Sequence, residues 1–206
     1  TISNRSVKGL NMMQSGGNSR LYELSTYEMG KFALKDYPDL LVDPRPRLQT
    51  EVQALKMVED LHKTPKVVAF DEKQNVAIYE WIEGVHISRI DDNHIKDALK
   101  FIENIQNLEG KETYKLASEA CLSAKDLFTQ IDNRFERLLL VNNQDLQDFL
   151  NKTFKPLWTK ARKWSEQCWP RDNLTEDLPS SMQVFSPSDF GFHNSLIKNN
   201  GKLCFL

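Results

Sequence analysis

The spacing of apolar residues changes character near Glu83-Gly84, and this limits what the chain can fold into. Upstream, apolar residues come in short runs bounded by turn-forming residues, which read as strands. Val7 to Gln14 and Arg20 to Thr26 flank the polar segment Ser15-Gly16-Gly17-Asn18-Ser19. Lys31 to Tyr37 ends at Pro38, and Val67 to Asp71 faces Val76 to Ile82 across Glu72-Lys73-Gln74-Asn75. One helix interrupts them. It is expected to start near Asp43-Pro44, with Asp43 as cap and Pro44 in the first turn. Its stripe is Leu48, Val52, Leu55, Val58 and Leu61, at helical spacing.

Downstream the period becomes helical. Ile95, Leu99, Ile102 and Ile105 mark one helix, and Leu127, Phe128, Ile131, Phe135 and Leu138 a second. A third runs through Leu146, Phe149, Leu150, Phe154, Leu157, Trp158, Ala161 and Trp164, with Pro156 expected to kink or divide it. Pro170 to Ser181 reads as loop, and the chain closes on a hairpin, Leu196 to Lys198 and Lys202 to Leu206 around Asn199-Asn200-Gly201. The expected fold is α+β: a β-rich lobe with one helix over 1–83, a glycine-containing hinge near Glu83-Gly84, and a mainly helical lobe over 84–206.

Composition narrows the function classes. A net charge of −2, with no run of five or six basic residues, gives no footprint for nucleic acid and no polybasic membrane tether. No apolar stretch reaches the ~18 residues of a membrane span, and the first residues, Thr1 to Arg5, lack a signal-peptide core. Three well-separated cysteines, Cys121, Cys168 and Cys204, form no metal-like pair and read as free thiols of a reducing, cytoplasmic setting.

Several segments carry chemistry. Gly16-Gly17, within Ser15 to Ser19, lets backbone N–H groups approach an anion, although a plain Gly-Gly hairpin turn is the commoner use. In Phe32-Ala33-Leu34-Lys35, alternation puts Ala33 and Lys35 on one face. A small residue and a lysine there suit a nucleotide base and its α/β-phosphates; alone, Lys35 also reads as an edge-strand lysine. Glu51, beside Val52 on the following helix, can pair with that lysine, with Glu59 as rival. Glu80-Trp81-Ile82, where the last strand ends, offers backbone groups to a base edge. In Ser188 to Leu196, Asp189 and Asn194 lie five apart on a tight loop. That is the spacing at which a phosphoryl-transfer site sets a catalytic carboxylate and a Mg²⁺-ligating amide. Leu196 would floor a base, and His193, with no other ligand near it, reads as a packing or hydrogen-bonding residue.

Taken in order, the Gly16-Gly17 turn, Lys35, Glu51, the Glu80 to Ile82 segment and the Asp189…Asn194 loop resemble the aminoglycoside phosphotransferase/choline kinase family, with its protein-kinase-like fold. The resemblance spans nearly the whole chain. It implies ATP or GTP and Mg²⁺ as cofactors and a small-molecule hydroxyl (aminoglycoside, choline-like or sugar) as acceptor. Asp189 would be the catalytic base, Asn194 a Mg²⁺ ligand, Lys35 the phosphate-binding lysine and Glu51 its partner. Ser15, Gly16, Gly17, Asn18 and Ser19 would cover the phosphates, and Ala33, Glu80, Trp81, Ile82 and Leu196 would hold the base.

Two departures stand out. Pro187-Ser188-Asp189 replaces the family's His-Gly-Asp, so the loop must be braced by Pro187 or by another contact. The family's second metal-binding Asp would follow Leu206, which leads to the expectation of a C-terminally truncated chain whose next residue is Asp. A non-catalytic nucleotide-binding scaffold of the same fold is the rival reading, and a protein kinase a second. Trp158, Trp164 and Trp169 offer an aromatic box for a cationic acceptor, though their helical spacing reads first as core.

Overall fold

Five strands build the first sheet, and each falls within a residue or two of an expected run. The computed structural model describes residues 6–15, 19–28, 30–110, 113–117, 119–168, 174–187 and 189–206. The strands are β1 (Val7–Ser15), β2 (Arg20–Thr26), β3 (Gly30–Asp36), β4 (Val67–Asp71) and β5 (Val76–Glu80). They pair antiparallel in the order β1-β2-β3-β5-β4. In register, Ala33 faces Tyr79 and Lys35 faces Ala77. Alternation therefore sorts the two faces: Leu24, Phe32 and Ile78 form one apolar cluster, and Tyr37, Ala77 and Tyr79 another with Leu48 and Val52.

Leu48 and Val52 come from helix α1 (Arg47–Met57), which supplies the buried half of the expected stripe. Its start is a correction. Asp43 does not cap it; the residue before the first turn is Pro46, with no side-chain cap. Two prolines explain the shift, because Pro44 and Pro46 each bias the preceding residue away from helical geometry. The Asp43 carboxylate binds Arg45 and Arg47 instead, both at 2.6 Å, which holds it well below the usual carboxylate range.

A strand the sequence did not announce, β6 (Gly84–His86), joins β7 (Ser195–Lys198) and β8 (Leu203–Phe205) in a second antiparallel sheet. Gly84 pairs with Lys198, and a Cβ there would sit 2.6 Å from the Ile197 carbonyl oxygen. It is a close-packing glycine held in a ladder. The terminal hairpin forms where expected, with Gly201 at φ +78°.

Helix α2 (Asp92–Gln106) opens on a capping box: Asp91 accepts from the Asn93 and His94 N–H groups, and His94 Nδ1 accepts from the Asp91 N–H. It buries Ala98, Phe101 and Ile105, while Ile95 and Leu99 face outward, so the expected stripe is rotated. Val58, Leu203 and Phe205 complete that core, with Phe190, Phe192 and Ile197 packed on it.

By contacts the chain groups into two units, Thr1–Lys111 with Phe185–Leu206, and Glu112–Val184. The second is helical. Helix α3 (Ala124–Leu139) carries a Ser123/Asp126 capping box, and α4 (Gln144–Phe149) is capped by Asn143. A π turn at Leu150–Phe154 leads into α5 (Lys155–Cys168). The turn accommodates Pro156, which has no N–H to return and whose ring crowds the carbonyl four residues back. Neither Trp158 nor Trp164 is fully buried. Trp158 donates to Asp132 (2.7 Å) edge-on to Phe128, Trp164 is 64 % exposed, and Trp169 lies outside the described residues. No helix among the described residues is long and apolar enough to cross a membrane. The fold is α+β, an antiparallel sheet followed by a mainly helical part.

Candidate active site

Strand β3 and helix α1 bring Lys35 and Glu51 together. Lys35 lies on the α1 side of the sheet, and Glu51 lies one position before the buried Val52, so the two side chains meet as α1 packs. Lys35 Nζ donates to both carboxylate oxygens, at 2.7 and 2.9 Å. The two side chains are 27 % and 33 % exposed, which shields the pair more than a surface bridge. At an effective dielectric near 20 the gross attraction is about 4 kcal/mol, enough to orient a flexible lysine. Glu59 instead meets Lys66 at 3.5 Å.

Beneath this pair lie two tyrosines the sequence did not single out. The Lys35 ammonium stands 5.3 Å from the centre of the Tyr37 ring, and the Tyr37 and Tyr79 hydroxyls lie 2.7 Å apart. Both phenols are pushed far above their ordinary pKa, first by burial and then by the Glu51 charge. Alternation alone would have placed Tyr37 with Lys35. Tyr79 needed the β3–β5 register, which no local pattern carries.

The second group is the Asp189 loop. Asn194 Nδ2 donates to the Asp189 carbonyl (2.9 Å) and to its carboxylate (3.1 Å), while His193 Nε2 lies 3.2 Å from the other carboxylate oxygen. His193 is thus a hydrogen-bonding residue, as expected. Gly191 makes room for it, since a Cβ at 191 would meet the imidazole at 2.7 Å. The Asp189 side chain is 83 % exposed and open to solvent.

Bracing of this loop comes from several contacts. Phe190 stacks on Phe101 (5.8 Å) and lies tilted against Phe205 (4.8 Å). Gln106 binds the Phe185 backbone at both its N–H and its carbonyl. The Leu206 N–H donates to the Asn194 carbonyl, and Ser195 Oγ to that of Phe192. Ser188 lies outside the described residues.

The remaining candidates fall as follows. Ser15 ends β1 opposite Arg20, and Ser19 precedes β2; Gly16, Gly17 and Asn18 lie outside the described residues. Ala33 is half-buried against the α1 cluster. The Glu80 N–H donates to the Lys66 carbonyl (2.9 Å), and Lys31 Nζ stands 5.5 Å from the Trp81 ring. Trp81 and Ile82 run between β5 and β6 without strand pairing. Leu196 is half-buried, paired with His86 and Cys204.

A Mg²⁺ ion, implied by the resemblance, takes hard oxygen ligands. Asn194 binds Asp189 through Nδ2, which leaves its Oδ1 as an acceptor near the Asp189 carboxylate, and such a donor set fits. No group of three His, Cys, Asp or Glu stands at metal-binding distances among the described residues.

No curated protein matches this sequence. Solved structures do resemble it. Choline kinase LicA from Streptococcus pneumoniae superposes with a TM-score of 0.56 at 14 % identity, over 97 % of this chain and 62 % of that one. Spectinomycin phosphotransferase APH(9)-Ia, solved with ADP and spectinomycin, gives 0.61 at 11 %, over 98 % and 63 %. An ethanolamine kinase from Plasmodium vivax gives 0.57 at 11 %, over 96 % and 55 %. The chain therefore spans about three fifths of the length of these structures, and at such identities the likeness is one of fold. The sequence profile of the phosphotransferase enzyme family matches residues 13–205. This chain belongs to the phosphotransferase enzyme family.

Proposed function

We propose that the chain is the nucleotide-binding and catalytic part of a small-molecule kinase, moving the γ-phosphate of ATP or GTP to a hydroxyl group. The observation that carries this reading is the two-oxygen bond between Lys35 and Glu51. A lysine so held presents a fixed positive charge to phosphate oxygens, and transfer of a phosphoryl group depends chiefly on positioning and charge neutralisation. Ser15 to Ser19 cover the phosphates, while Ala33, the backbone of Glu80 to Ile82, and Leu196 take the base. Asp189 orients the acceptor hydroxyl towards the γ-phosphorus and accepts its proton. Asn194 Oδ1 would hold Mg²⁺, which supplies neutralisation of the phosphate charge when bound. The two-lobe division at residue 83 and a cytoplasmic setting belong to the same proposal.

The acceptor classes to try are those of the similar structures, choline, ethanolamine and spectinomycin, together with sugars. Incubation of the chain with each, Mg²⁺ and γ-labelled ATP or GTP is expected to give a labelled product with at least one. Nucleotide binding that is lost in Lys35→Met is expected alongside. A chain that binds neither nucleotide would overturn the reading. A second reading, a nucleotide-binding scaffold, is favoured by Pro187 in the segment leading to Asp189 and predicts binding with no transfer to any acceptor.

A further inference from the structure

We propose that Tyr37 and Tyr79 are positioning residues: their paired hydroxyls hold the Glu51 carboxylate, and through it the Lys35 ammonium, at one place above the sheet. The inference rests on Lys35 being the phosphate-binding lysine. It starts from register. Tyr79 faces Ala33 and Ala77 faces Lys35, while the Tyr37 N–H binds the Asn75 carbonyl. The two tyrosines thus arise at opposite ends of a five-residue stretch of the β5 level, with Lys35 and Ala77 midway. At about 3.4 Å per residue their backbones are on the order of 14 Å apart, yet their hydroxyls close to 2.7 Å. The rings lean towards each other across Ala77, which is fully buried and small enough to leave the space.

Proton counting gives this bridge its direction. Both phenols stay protonated, since burial and the Glu51 charge oppose ionisation. Two O–H groups are available and one is used between the two oxygens. The other is left for an acceptor in an apolar setting of Leu48, Val52 and Ala77, where an unsatisfied hydroxyl is costly. Lys35, level with Ala77 where the two hydroxyls meet, holds the Glu51 carboxylate by both oxygens, and the Glu51 charge acts on both phenols. Lys35 is held a second time by the face of Tyr37, at 5.3 Å. Without the hydroxyls, Glu51 and Lys35 keep each other but lose their common fixed point. Lys35 then samples more positions, and phosphate binding falls while the carboxylate that takes the proton, Asp189, is untouched.

The test compares Tyr37→Phe and Tyr79→Phe, each of which keeps its ring, with the unchanged chain. Lys35 reactivity is read by acetic anhydride labelling and mass spectrometry, taken as a ratio to Lys63, which is likewise shielded (24 % exposed) and paired with Asp97. Loss of the fold would raise every lysine, whereas loss of positioning raises Lys35 alone. The expected result is a rise of roughly threefold or more in that ratio for both variants. Nucleotide KM should rise by a similar factor, with kcat changed less than twofold. An unchanged ratio in the variant that remains folded overturns the proposal, and so does a fall in kcat at constant KM. Failure of the underlying reading shows differently: Lys35→Met would then bind ATP and GTP as the unchanged chain does, whatever the tyrosine variants do to the labelling ratio.

Discussion

Gly84 has no room for a side chain, because the Ile197 carbonyl oxygen would lie 2.6 Å from its Cβ. Alanine there must push two paired strands apart, so Gly84→Ala is expected to lose ~1–3 kcal/mol of stability in urea unfolding, the usual cost of overpacking. Gly9, with nothing within 4 Å of the same position, is the control; Gly9→Ala should stay within ~0.5 kcal/mol. Equal losses at both would remove the close-packing account. The same scale shows which site residues a sequence can reveal. Ala33 and Lys35 share a face by strand alternation, and Glu51 lies beside Val52 in a helix stripe, so both partners are legible in the sequence. Tyr79 was not, because its place beside Lys35 depends on how two strands far apart in the chain align. The contacts of His193 with Asp189 depend likewise on the extended backbone of Gly191.

Among the elements, α3 shows how a local signal sets a helix end. Ser123 accepts from the Asp126 N–H while the Asp126 carboxylate accepts from Ser123 and Leu122, which holds that carboxyl below its usual range. Ser123→Ala should cost about 1 kcal/mol near pH 7. A carboxyl with depressed folded pKa contributes stability above its unfolded value, about 3.9, and loses it as pH falls through the folded value. The gap between Ser123→Ala and the unchanged chain should therefore narrow in urea titrations below about pH 4. A gap independent of pH would show that the Asp126 carboxylate gains nothing from the Ser123 side chain. Element existence was legible from period, and the misses have physical causes. The start of α1 moved because two prolines hold the chain extended. The buried face of α2 turned towards Phe101 because Phe190 and Phe205 stack there, and Phe101 directly before Ile102 leaves two stripes to choose from. Strand β6 went unread because three residues carry no period, and their partner is at the far end of the sequence.

At the scale of the whole molecule, the antiparallel sheet with its Lys35–Glu51 pair and the braced Asp189 loop both belong to the unit formed by 1–111 and 185–206. Family membership was readable from five weak segments because their order and element types agree, although no single one is specific. The acceptor was not readable, since tryptophans at helical spacing say nothing of which face they will occupy, and Trp164 ends exposed. In the proposed reaction this fold positions a nucleotide for phosphoryl transfer to a hydroxyl whose proton the Asp189 carboxylate accepts. The most direct test is the rate of phosphate transfer by Asp189→Ala, with nucleotide affinity measured on the same preparation. The expected kcat is lower by roughly 10²–10⁴-fold, the range of a general base, with nucleotide affinity within about threefold of the unchanged chain. Transfer at an unaltered rate would contradict this role of Asp189.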